Sequence, residues 1–244
     1  MVSSEEAGVE PAESKNTIIS LSTTKIRWLL IYCVFALSAM GIYAEVIYDL
    51  LDREDPWGLV AFLSLSWEAN LPTWAASSLL LICAGLLWTI AKTARQAGDK
   101  AYRHWYALSA IFAYISLDET AQLHENLGHL LQTGDGLFYF DWVIPASAIL
   151  VILGMVFYRF ILNLYVPTRN RFIAAAVLYV GGALFMELPL GLWVSEHGSS
   201  NLGYGLLDWI EETLELTGIA VFLYALIIEL LGHKDLSLQL DLTK

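Results

Sequence analysis

Stretches of about 20 apolar residues recur along the chain, separated by charged and turn-forming residues. A helix rises about 1.5 Å per residue, so about 20 apolar residues cross a hydrocarbon core roughly 30 Å thick. Six such stretches are expected to be membrane-spanning helices: 26–48, 72–91, 102–131, 142–163, 172–194 and 206–231. The pattern predicts an all-α fold, a polytopic membrane bundle filling residues 25–233. Pro72 suits a helix start, where its missing N–H costs nothing. Trp57–Ser66 is apolar too, but its ten residues are too few to cross. Its flanking Trp57 and Trp67 suit an interfacial or re-entrant piece.

Composition agrees, with 57% of the 244 residues hydrophobic, against roughly 45–50% in soluble domains. The acidic stretch 1–24 is expected to be a disordered tail, and 234–244 a short second tail. The first tail is long and acidic and precedes a run of full span length, unlike a cleaved signal peptide. Cys33 and Cys83 both fall in apolar runs and read as buried structural thiols. The sequence carries no Gly-rich phosphate loop, no Gly-x-Ser-x-Gly elbow and no basic patch for nucleic acid.

Charge gives the bundle its direction. With the six spans in place, 12 of the 13 Lys and Arg residues fall on one side, and Arg53 alone falls opposite. Basic loops stay cytoplasmic, so both termini are expected inside and the protein in the cell (inner) membrane. The carboxylates distribute the other way: 17 of the 25 lie in outer loops or the middle-to-outer parts of spans. Asp49, Asp52, Glu54, Asp55, Asp135, Asp141 and Glu196 read as solvated. Glu45, Asp118, Glu119, Glu125, Glu187, Glu211, Glu212 and Glu215 lie within spans, with Glu68 and Asp208 near span ends.

A charge at the centre of a membrane helix costs roughly 2.5–3.5 kcal/mol on insertion scales. Asp118-Glu119-Thr120-Ala121-Gln122-Leu123-His124-Glu125 puts three carboxylates and an imidazole into one span. At about 100° per residue, Asp118, Glu119, Gln122, Glu125, Asn126 and His129 share an arc of roughly 120°, and His124 points away. Asp208, Glu211, Glu212 and Glu215 share a face of the last span. The two stripes and Glu187 come to comparable depths. Without basic partners, such acids are protonated and hydrogen-bonded to one another, line a wet cavity, or hold a cation. Carboxylates with a few imidazoles suit iron, manganese or zinc, and all-oxygen sets suit calcium or magnesium.

The candidate metal ligands are Asp118, Glu119, His124, Glu125, His129, Glu187, Glu212 and Glu215, with Glu211 as a candidate general base. The bland alternative is a polar network that packs helices together. His129 reads equally as an interfacial histidine, and His197 as a solvated loop residue. The di-iron pattern Glu-x-x-His fails at Gln122 and Gly128, and the zincin pattern fails because His129 comes one residue late. Pro189 blocks a helix hydrogen bond to the carbonyl of Phe185, which gives a kink or exposes backbone oxygen beside Glu187. Trp67–Trp74 caps the second span, with Glu68 favouring the helix N-terminus.

Glu68-Ala69-Asn70-Leu71-Pro72-Thr73-Trp74, with Ser116-Leu117-Asp118-Glu119 and His124-Glu125, resembles a pattern in bacterial multi-pass proteins of unassigned function. The resemblance implies no activity. Three readings follow from the residues: a metal site in the outer half serving chemistry on a lipid-phase small molecule, a proton or cation transporter using the acids as a relay, and a non-catalytic subunit or assembly factor. The lipid bilayer is the expected partner, and nucleic acid is not.

Overall fold

The structure, a computed structural model, describes residues 18–124, 136–231 and 238–241. Long helices form its body: α1 (Thr23–Leu50), α3 (Leu71–Gln96), α4 (Tyr102–Ala121), α5 (Val143–Asn163), α6 (Val166–Val180), α7 (Glu187–His197) and α8 (Leu202–Leu230), with the short α2 at Leu59–Leu63. A π-helical segment, Gly181–Met186, joins α6 to α7, so Val166–His197 is one continuous rod of 32 residues. Five helices are long and apolar enough to cross a membrane: α1, α3, α5, the α6–α7 rod and α8. Two four-residue strands, β1 (Ile18–Leu21) and β2 (Leu238–Asp241), pair antiparallel, although both lie in stretches expected to be tails.

Side chains set several helix starts. Ser22, Asn70 and Asn201 each accept a backbone N–H from three residues on, at Lys25, Thr73 and Tyr204, satisfying a donor that the first turn leaves open. Pro72 and Pro167 sit in first turns, where a missing N–H is harmless. The cap of α3 is Asn70, whose amide also donates to the carbonyls of Ser64 and Trp67. The capping acceptor is thus a neutral amide.

One expectation is corrected in the third span. Its helix ends at Ala121, because Gln122 turns left-handed at φ 53°. Asp118 carries the turn: its backbone carbonyl accepts the Gln122 N–H, and its carboxylate accepts the His124 N–H at 2.9 Å. An Asp side chain competes with the helical ladder in this way. The arc that joined Asp118 to His129 assumed a straight helix and does not extend past Ala121. Glu125 and His129 lie outside the described residues.

Pro189 does not break its helix. A six-residue π segment, whose turns are wider, ends at Met186, three residues before it, and the rod continues with Glu187 inside it.

Helix α8 is the axis. It packs against α1, α3, α6 and the π segment, and it is the most buried of the five long apolar helices. Lipid tails are as apolar as leucine, so the helices hold by close van der Waals fit. Glycines make that fit possible. A methyl group on Gly182 would stand 2.7 Å from the Glu211 carbonyl oxygen, and one on Gly218 would stand 2.7 Å from the Tyr179 nitrogen. The antiparallel α3–α4 pair is tied by Ser109 donating to the Ala84 carbonyl and Ser116 to the Ser77 carbonyl, each at 2.8 Å.

One end of the bundle is filled with aromatic and aliphatic side chains, including Trp105, Phe157, Phe160, Phe172, Phe222 and Leu226. Phe222 stacks on Phe112 at 4.5 Å and leans on Phe172 at 4.6 Å. Leu37, Leu80, Leu216 and Ile219 continue the core to mid-bundle. The outer surface is apolar, with Phe35, Met155 and Val177 each about two-thirds exposed or more. Cys83 is buried, but Cys33 lies on that outer surface and is not the core thiol its apolar run suggested.

Two predictions follow from these contacts. Gly182→Ala forces backbone apart and destabilises by about 1–3 kcal/mol, whereas Gly85→Ala, with open space around it, is neutral or slightly stabilising. Equal thermal unfolding of the two variants in detergent would refute the close approach. At α2, the Asp55 carboxylate accepts the N–H groups of Leu59 and Ala61, each at 2.9 Å, and the Ala61 bond above all holds its pKa below the ordinary 3.8. The cap is whole above that value and is lost as pH falls through the depressed one. An NMR carboxyl titration therefore shows a midpoint below 3.8; a midpoint at or above it rules the cap out.

Candidate functional site

The acids gather at the end of the bundle opposite the aromatic core. Seen from α1, the first is Glu45, only 3% exposed. Ser64, at the end of α2, donates to its Oε1 at 2.7 Å. On the other side, Gly205 of α8 is pressed so close to Oε2 that no larger residue fits. Trp209 of α8 donates to the Ser38 carbonyl at 2.8 Å, and Thr213 to the Ser38 hydroxyl at 3.2 Å, which fixes α8 against α1. The Trp57–Ser66 piece is thus folded onto the bundle, with Val60, Ser64 and Leu65 buried and Trp57 exposed.

Helix α8 carries the next four. Asp208 faces Ser66 and Glu45. Glu211 is 7% exposed, and its Oε2 meets no hydrogen-bond donor among the described residues. Glu187, Glu215 and Asp208 lie within electrostatic reach of it. Glu187 is also buried and accepts the Trp142 indole N–H at 3.1 Å. One turn further, Glu212 and Glu215 face Glu119 of α4.

These last three line one small cavity with Leu65, Pro72, Ala76, Leu216 and Ile219. Its volume is about 10 Å³, near the minimum that holds one water molecule. Tyr179 looks onto the same acids, Glu215 first and then Glu119 and Glu212. It is placed by α6, whose backbone Gly218 lets α8 approach. Glu68, from the α3 cap, lies within electrostatic reach of Glu119.

Asp118 and His124 form a separate pair beside this group. The His124 ring nitrogen Nδ1 lies 2.9 Å from Asp118 Oδ2, and the ring packs 4.8 Å from Trp142. Helical phase had turned His124 away from the acids. The left-handed Gln122 breaks the helical phase, and His124 meets Asp118. Asp141, expected in solvent, is buried.

Of the candidate ligands, the structure brings Glu119, Glu212 and Glu215 into one cavity, places Glu187 and Glu211 as its neighbours, and holds Asp118 and His124 as a pair at its edge. Glu125 and His129 lie outside the described residues. Among the described residues, no three His, Cys, Asp or Glu side chains converge as metal ligands. Arg53 pairs with Asp49 at 3.1 Å, away from the acids that line the cavity.

Sequence reasoning missed three contributors. Ser64 and Leu65 lay in a segment judged only by its length. Tyr179 gave no motif, although the Gly181-Gly182 doublet after it marks a close approach. The Glu45–Ser64 bond joins elements 19 residues apart, which no periodicity reports.

If Ser64 is the partner of buried Glu45, Ser64→Ala costs about 1–3 kcal/mol in equilibrium unfolding in detergent. In a Glu45→Leu background the same change costs far less. Equal costs in the two backgrounds would sink the pairing.

No curated protein and no solved structure matches the chain. A family model does match, over residues 27–230, and it spans every helix from α1 to α8 together with the whole acidic chamber. The chain belongs to the DUF8692 family, a domain of unknown function.

Proposed function

We propose that this is a six-crossing membrane protein, with both termini cytoplasmic, that holds a cation in a chamber opening toward the outer face. Helix α4 is the sixth crossing. Its 20 residues reach about 30 Å, and it pairs with α3 along its length. Among the described residues, every Lys and Arg except Arg53 lies at the end away from the chamber, as the positive-inside rule requires of a cytoplasmic face. The pairing of β1 with β2 supports placing both ends of the chain on one side.

The observation that carries the cation reading is the convergence of Glu119, Glu212 and Glu215 on one cavity, beside the buried and unsatisfied Glu211 Oε2. Carboxylates buried side by side need a bound cation or protons to neutralise them. The cavity donors are all oxygen, which favours a hard divalent ion such as manganese, magnesium or calcium over zinc, with iron also compatible with a carboxylate set. Because the three acids do not yet converge on one point, binding draws them inward by side-chain rotation. A cation there would activate water for chemistry on a lipid-phase small molecule, with Glu211 as the general base.

The apolar core disfavours a through-path. Between Glu215 and Glu229, α8 carries no acid or base, and Leu216, Ile219, Phe222, Leu223 and Leu226 are buried there. Glu229 is met by Thr168 at 2.8 Å beyond that plug. That the acids do not converge as ligands among the described residues favours a second reading, in which protonation alone neutralises them.

Elemental analysis of the freshly purified protein separates the two. The cation reading expects about one divalent ion per chain, lost in Glu119→Gln. Absence of metal, with a carboxylic C=O infrared band that Glu119→Gln diminishes, would establish the proton reading instead.

A further inference from the structure

A second open groove lies at the other end of the bundle, between the end of α3 and the start of α4. Trp88, Lys92, Arg95, Gln96 and Tyr106 line it, and its volume is about 470 Å³. Trp88, Lys92 and Arg95 follow one another at helical spacings of four and three, so they form one stripe on α3. Trp88 meets Tyr106 edge-on at 4.7 Å, and Tyr106 meets Tyr102 at 6.1 Å, which builds an aromatic wall. The Arg95 guanidinium lies 5.9 Å over the Tyr102 ring, and Arg103 donates to the Tyr102 hydroxyl at 3.3 Å.

Among the described residues, neither Lys92 nor Arg95 is paired with a carboxylate. Their charges are gathered at a groove and left unanswered in a chain whose formal net charge is −12. The order along the stripe is also informative. Trp88 sits one turn nearer the apolar body than Lys92, the level at which indole rings meet the glycerol region of a bilayer. Lys92 and Arg95 then stand at phosphate level.

We infer that this groove binds the headgroup of an anionic phospholipid, with Lys92 and Arg95 on the phosphate and the Trp88–Tyr106 wall against the glycerol and upper acyl chains. A soluble phosphate has no use for the exposed tryptophan that forms one wall. Basic pockets between membrane helices at the cytoplasmic side take lipid headgroups for the same electrostatic reason. The inference needs only that the bundle crosses a bilayer. It stands or falls apart from the cation chamber, since no groove residue touches that site.

The test uses the full chain in mixed micelles containing phosphatidylglycerol or phosphatidylcholine, with retained lipid counted by native mass spectrometry. The expected result is preferential retention of phosphatidylglycerol, reduced roughly tenfold or more in Lys92→Gln/Arg95→Gln. Lys92→Arg/Arg95→Lys keeps the preference, and Trp88→Ala weakens it. Lys25→Gln/Arg27→Gln removes the same charge from the same end outside the groove and leaves retention unchanged. Equal loss in the two neutralised pairs would show diffuse attraction and overturn the site. So would equal retention of the two lipids, or displacement of the lipid by inorganic phosphate. The groove side chains Trp88, Lys92 and Arg95 are exposed, so their replacement leaves the fold intact, and an unchanged gel-filtration profile checks this.

Discussion

A carboxylate taken out of water loses hydration that no single hydrogen bond restores, and this chain takes several out together. Much of its architecture at that end follows from the need to compensate them. Ser64 reaches in from α2 to meet Glu45, and the Trp142 indole meets Glu187. Gly205 brings the α8 backbone against Glu45, and Gly182 brings the π segment against Glu211 and Glu215. Each device either supplies a polar contact or removes the bulk that would keep helices apart. The acids therefore sit inside a tight joint between α1, α4, the π segment and α8, where a loose one would admit bulk water and lower the cost of leaving them charged.

The opposite end solves a simpler problem. Trp105, Phe157, Phe160, Phe172 and Phe222 close the bundle with rings packed edge and face. Aromatic pairs of this kind add about 0.5–1.5 kcal/mol beyond the area they bury. That closure makes the chamber one-sided. A cluster of acids below a hydrocarbon plug can store charge, bind an ion or host a reaction, but a proton entering it finds no acid or base on α8 until Glu229.

Much of this was legible in the sequence, and the reason is physical. Crossing helices need long apolar runs, so α1, α3, α5, the α6–α7 rod and α8 announced themselves by hydropathy alone. The shared face of Glu211, Glu212 and Glu215 followed from the helical period, since α8 is one unbroken helix. The same logic failed on α4, because the period holds only while the helix does. Asp118 ends the helix by accepting the His124 N–H, and a side chain that competes with the backbone leaves no trace in a hydropathy pattern. At Pro189 the pattern gave less than the structure shows. Its lost hydrogen bond suggested a kink or an exposed carbonyl beside Glu187, and the structure places a π segment over Gly181–Met186 just before it.

The π segment also ties the fold to the site. A wider turn rotates the residues after it relative to those before it. Without that rotation, Tyr179 on α6 and Glu187 at the start of α7 would keep the phase of one regular helix. With it, Tyr179 looks onto Glu215 and Glu119, and Glu187 turns to Trp142 and Glu211. The glycine doublet supplies both parts of the device: Gly182 admits α8 to close contact, and residues without side chains tolerate the altered turn. Pro189 and Gly181-Gly182 then act as one unit, which places two polar groups on the same chamber from a single rod.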